Sequence, residues 1–114
     1  MNLSRGGGVL LALRTHIPVT IVDLSQLRND LDMIEIVGCK CFLNGTFLHI
    51  FVVYFCRTPS LNELLRFCEY FEDNFNTNEN FLLLGDFNIP EFIINNDNIL
   101  VNTLNNFCKF LNLE

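Results

Sequence analysis

Gly85-Asp86-Phe87-Asn88, set directly behind the apolar run Phe81-Leu82-Leu83-Leu84, is the one stretch of this chain whose residue types come with a mechanism attached. Glycine lets a strand turn sharply. A carboxylate and an amide then emerge two residues apart at its C-terminal end, where ligand sites in open α/β sheets form. A carboxylate so placed can ligate a metal ion, take a proton from water or protonate a leaving group. An amide beside it can hydrogen-bond a phosphate oxygen without adding repulsive charge. The same four residues also describe an Asx turn leaving a strand, in which Asp86 and Asn88 only satisfy backbone groups. Both readings stand on these residues alone.

The other chemically capable residues point to structure. Five cysteines, at positions 39, 41, 56, 68 and 108, are odd in number and match no zinc spacing. Cys39 and Cys41 would share one face of a strand as small buried thiols, and a reducing, intracellular setting is expected. His49 lies inside the apolar run Phe47–Cys56 and is expected as a hydrogen-bonded core residue rather than a ligand. Arg5-Gly6-Gly7-Gly8 is followed by neither a helix signal nor a Lys-Ser/Thr pair, which excludes a phosphate-binding P-loop. Asn44-Gly45-Thr46 fits a glycosylation sequon, but Asn-Gly between two apolar runs is a hairpin signal, and no secretory leader pattern is found.

Certain elements must position Asp86. Val9–Leu13 reads as a strand, Ile17–Leu24 as a short extended piece, and Met33–Val37 as a strand alternating apolar and acidic residues. Cys39–Leu43 and Thr46–Phe55 pair around Asn44-Gly45, the second arm being apolar on both faces like a central, doubly covered strand. Pro59 and Ser60 open a helix with the capping box Ser60-x-x-Glu63, and Leu61, Leu64, Leu65, Cys68, Phe71 and Phe75 follow at helical spacing. Phe81–Leu84 reads as a buried strand and Ile99–Leu113 as a second helix, apolar at 100, 101, 104, 107, 108 and 111. Sixteen asparagines, dense over Asn74–Asn80 and Asn95–Asn106, mark loops. Strand, helix, strand between Phe47 and Leu84 is the pattern of a covered sheet, so the fold class is α/β.

Composition bounds the partners. The 114 residues are 50% hydrophobic with twelve Phe, enough for a core and too apolar for a disordered chain. No run approaches the roughly 20 apolar residues of a membrane helix, so no membrane partner is expected. A net charge of −6 argues against a free-standing nucleic-acid binder, since phosphate contacts need a basic patch.

Taken in order, Arg5-Gly-Gly-Gly-Val9, the strand ending in Val53-Tyr54, and Phe81-Leu-Leu-Leu-Gly-Asp-Phe-Asn-Ile-Pro90 resemble the middle of the endonuclease/exonuclease/phosphatase family. Within it they look most like the apurinic-type endonuclease domain encoded by non-LTR retrotransposons. The Leu-Gly-Asp-Phe-Asn-Ile-Pro run is the specific part. The resemblance covers nearly all of residues 1–114 and about half of such a domain. It implies a four-layer α/β sandwich, two packed mixed sheets flanked by helices, of which this chain holds part. It also implies hydrolysis of phosphodiester or phosphomonoester bonds with Mg²⁺ or Mn²⁺, DNA being the retrotransposon members' substrate. On the matching positions Asp86 would orient or activate water or protonate the leaving group, Asn88 would hold the scissile phosphate, and Tyr54 would reach it through its hydroxyl.

The departures carry as much weight. The family's early Asn and metal-ligating Glu, and its Ser-Asp-His end, have no counterpart in these 114 residues, and His16 and His49 stand elsewhere. After Tyr54 the chain reads Phe-Cys-Arg-Thr-Pro59, where the family continues toward prolines. The expectation is therefore a fragment of a DNA endonuclease, part of a larger polyprotein with a reverse transcriptase, nuclear in that case. As an isolated chain it is expected to hold no metal and to be inactive. Two alternatives remain: a phosphatase or phosphodiesterase of the same fold, or a non-catalytic relic or interaction module. Half a sandwich should also leave an apolar sheet face exposed and a strand edge uncovered.

Overall fold

A computed structural model describes residues 8–75, 80–89 and 99–110. The elements are β1 (Val19–Ile21), α1 (Ser25–Asp30), β2 (Ile34–Leu43), β3 (Thr46–Phe55), α2 (Leu61–Asn74), β4 (Asn80–Asp86) and α3 (Ile99–Phe110). They form an α/β domain whose four strands lie in the order β1-β2-β3-β4. β1 pairs antiparallel with β2 and β2 antiparallel with β3, and β4 joins β3 in parallel after the α2 crossover.

Asn44 and Gly45 take positive φ, 51° and 81°, as a tight hairpin turn whose twist matches the strands requires. That turn sets the register of β2 on β3 from Leu43↔Thr46 to Ile34↔Phe55. The runs Met33–Val37 and Cys39–Leu43, expected as two pieces, form one strand, β2, that starts at Ile34, with Met33 in the turn before it, and runs through Gly38. A Cβ there would press on the Phe51 ring, 2.5 Å from Cε1, so glycine makes room for a ring buried across the strand.

Alternation along β3 sorts its side chains. Phe51, Val53 and Phe55 face the helices and join Leu24, Leu27, Ile36, Leu64, Phe67, Phe71, Leu104 and Phe107 in the main core. His49, on the same face, is buried beside Phe75 and Phe81, with ring centroids 5.3 and 5.0 Å away. Arg28 donates to the Ile36 carbonyl at 3.0 Å, tying α1 to β2. The extended piece expected over Ile17–Leu24 is a strand only over Val19–Ile21, and α1 follows it as a helix outside the expected elements, with Leu24, Leu27 and Leu31 at helical spacing and all buried.

On the opposite face, Cys39, Cys41 and Ile50 form a smaller cluster under Leu11, Leu13 and Ile17. Val9–Leu13, expected as a strand, forms no ladder. Leu11 and Leu13 of this run pack over the sheet face instead of extending it, while Leu10 points to solvent. Phe81–Leu84 is a strand but is not buried: Leu82 and Leu84 are 41% and 48% exposed. Among the described residues β4 is an edge strand, and its Phe81 and Leu83 side packs on the core.

In α2, Leu65 is exposed and Phe67, not among the expected face, is fully buried. In α3, Asn102, Asn105 and Asn106 belong to the helix rather than a loop. They occupy its exposed side while Leu104 and Phe107 are buried, and that packing outweighs asparagine's weak helix propensity. Arg5–Gly7, residues 76–79 and 90–98, and the tail from 111 lie outside the described residues, as does the Cys108 side chain. Among the described residues no helix is long and apolar enough to cross a membrane.

Candidate active site

Tyr54 and Asp86 are register partners across the parallel β3–β4 ladder. Their side chains therefore leave the sheet on the same face, on backbones about 4.8 Å apart. That face is the one away from the helices, shared with Ile50, Val52, Leu82 and Leu84. Tyr54 is half-buried and Asp86 exposed. Glu35 of β2 pairs with Tyr54 from the other side, so one row reads Glu35, Tyr54, Asp86 across three strands. Sequence reasoning did not single out Glu35. Its signal was the polar phase of the alternating Met33–Val37 run.

Gly85 makes the strand end possible. It lies at φ 155°, and a Cβ there would collide with the Val53 carbonyl oxygen and come within 2.7 Å of Val53 Cγ1. Beyond it the side chains alternate between the site and the core. Phe87 turns inward against Phe55 and Phe67, with centroids 5.1 and 5.7 Å away, and Ile89 is buried.

Asn88 adopts φ 54°, a left-handed conformation asparagine tolerates better than most residues. Its backbone N–H donates to Asp86 Oδ1 at 2.8 Å, closing an Asx turn. Its Nδ2 donates to the Phe55 carbonyl at 3.2 Å, and the Thr58 hydroxyl donates to the Asn88 carbonyl at 2.6 Å. Asn88 thus stitches the loop after β3 to the loop after β4. The amide nitrogen carries two hydrogens, so one bond to Phe55 leaves a second donor.

Arg57 lies in that loop after β3, but its charge is committed. Both guanidinium ends reach Glu63, at 2.8 and 2.7 Å, and Asp32 lies 3.8 Å off. Glu63 also closes the α2 capping box with Ser60. The Arg57 hydrogen bonds, then the Ser60 backbone N–H, hold its carboxyl down at about 2.

The arrangement offers a phenol between two carboxylates on an accessible sheet face. A phenol hydroxyl can donate to a phosphate oxygen, and a carboxylate can accept a proton from water. As a donor set for a divalent cation it fits poorly, because Asp86 has one oxygen engaged in the turn and Mg²⁺ needs well-placed carboxylates. Among the described residues no three His, Cys, Asp or Glu side chains are grouped to hold a metal. Compared with protein-family models, with curated proteins and with solved structures, the chain matches none.

Proposed function

We propose that this chain is part of an endonuclease/exonuclease/phosphatase domain, from the DNA endonuclease of a non-LTR retrotransposon. The carrying observation is Leu-Gly-Asp-Phe-Asn-Ile-Pro at the end of β4, with Tyr54 beside Asp86 on one open face. In this reading Asp86 takes the proton of the attacking water or supplies one to the leaving oxygen. The Tyr54 hydroxyl and the second Asn88 amide hydrogen bond the phosphate oxygens. The divalent cation, Mg²⁺ or Mn²⁺, would supply charge compensation from residues beyond these 114. The two-sheet, four-layer sandwich belongs to the same proposal, with a second sheet lying on the apolar face of Leu82, Leu84 and Ile21.

A second reading is favoured by the Asp86 Oδ1 bond to the Asn88 N–H. A strand-leaving turn makes that bond without any chemistry, as a non-catalytic relic would. One substrate panel separates the readings. The 114 residues are joined to family segments carrying the metal-ligating Glu and the Ser-Asp-His end, then given supercoiled plasmid and a phosphomonoester with Mg²⁺. Nicking of the plasmid supports the endonuclease. Turnover of the phosphomonoester alone points to a phosphatase of the same fold, and inertness toward both to the relic. The chain without those segments is expected not to nick, because at least two stabilisers are missing and each is typically worth about 10²–10³ in rate.

A further inference from the structure

β4 is an edge strand seven residues long, Asn80-Phe-Leu-Leu-Leu-Gly-Asp86, and it pairs only with β3 among the described residues. It carries neither lysine nor proline, the usual blunting devices of an edge. The opposite edge, β1, is treated differently. It has three residues, follows Pro18, and has Leu11, Leu13 and Ile17 packed over the adjacent sheet face.

We propose that the free edge of β4 pairs antiparallel with the same edge of a second copy of this chain, about a two-fold axis at Leu83. The sequence of β4 is self-complementary in that register. Leu82 meets the partner's Leu84 and Leu84 the partner's Leu82, so two half-exposed leucines from each copy become one cluster on the open face. Phe81 lies opposite the partner's Gly85, a ring across a residue with no side chain to crowd it. Asn80 lies opposite the partner's Asp86, an amide against a carboxylate, and no like charges meet. A second copy displaced by two residues would lose these pairings. The two-fold uses the long edge of both copies and, among the described residues, leaves the short β1 edges, so the assembly closes as a dimer instead of growing into a fibre. One ladder of this length is a small interface, so dissociation is expected in the micromolar range, about 1–100 µM. The inference does not depend on the proposed nuclease reading.

Sedimentation of the full chain tests it, with two variants that differ only in charge pattern. The wild type is expected to pass from the chain mass of 13.2 kDa to twice that value as concentration rises through this range. Leu82→Lys with Leu84→Lys puts like charges across the two-fold and should give a monomer at 100 µM. Leu82→Lys with Leu84→Glu puts opposite charges across it and should restore the dimer. Far-UV circular dichroism and a cooperative melt check that both fold. If either does not fold, amide exchange decides: protection of Leu82–Leu84 in the wild type should rise with concentration. A wild-type monomer at 100 µM, with the edge left for some other strand to cover, would overturn the proposal. So would a dimer that survives the double lysine change, a folded Lys/Glu variant that stays monomeric, or exchange independent of concentration.

Discussion

Asn88 combines one side-chain and two main-chain hydrogen bonds with a left-handed φ, so its replacements should separate those contributions. Asn88→Ala loses the bond to the Phe55 carbonyl and strains the backbone, for an expected loss of about 2 kcal/mol. Asn88→Gly loses only the side-chain bond and should cost about 1 kcal/mol. Urea unfolding of the two variants checks the ordering, and equal losses would deny the left-handed contribution. Gly85→Ala should cost more, about 2–4 kcal/mol, since the added methyl meets the Val53 carbonyl. At this scale the sequence was informative where short-range geometry decides. The glycine, the carboxylate and the amide could each be read from the run Leu84–Asn88. Glu35 could not, because its place beside Tyr54 depends on the hairpin strand continuing through Gly38, where the sequence reads as two pieces.

The capping of α2 is a local device whose strength can be measured. Ser60 Oγ accepts from the Glu63 N–H at 3.2 Å, and Glu63 Oε1 accepts from the Ser60 N–H at 2.9 Å. Ser60→Ala should lower stability by about 1 kcal/mol. Glu63 also gives the fold an acid limb. Its folded carboxyl titrates at about 2, against an ordinary 4.5. Its contribution is therefore complete above pH 4.5 and lost as pH falls from there toward 2. Arg57 is 54% exposed, so solvent screening limits this to about 1 kcal/mol. The difference in unfolding free energy between wild type and Glu63→Gln should shrink across that window, and a difference constant from pH 7 to 2.5 would contradict the assignment. Ser60-x-x-Glu63 was legible because a capping box is local. The half-exposure of β4 was not, because Phe-Leu-Leu-Leu looks the same in a central strand and an edge strand, and strand order is a property of the sheet.

At the scale of the molecule, the three helices of the described residues and the main core lie on one side of the sheet, while the other carries Ile21, Leu82 and Leu84, the first of them 84% exposed. An apolar surface of this kind should bind an environment-sensitive dye in the folded state, with fluorescence lost rather than gained on cooperative unfolding. Dye binding that appears only on unfolding would mean the face is covered in solution. The sheet-and-helix class was legible from periodicity. The separation of a covered from an open face was not, because Val9–Leu13 is apolar enough to be a strand and lies on the sheet instead. That open face also presents Tyr54 and Asp86. Whether Asp86 does chemistry there, or only closes its turn, is read most directly by plasmid nicking with Mg²⁺ in the chain completed with the Glu and His segments of the proposed family. Asp86→Asn keeps an oxygen to accept the Asn88 N–H but removes the proton acceptor. Nicking is expected to fall at least 10²–10³-fold, roughly the loss of one preorganised catalytic group, with the melting temperature unchanged. Nicking within a few-fold of the unmutated completed chain would contradict the catalytic assignment and leave Asp86 a turn residue.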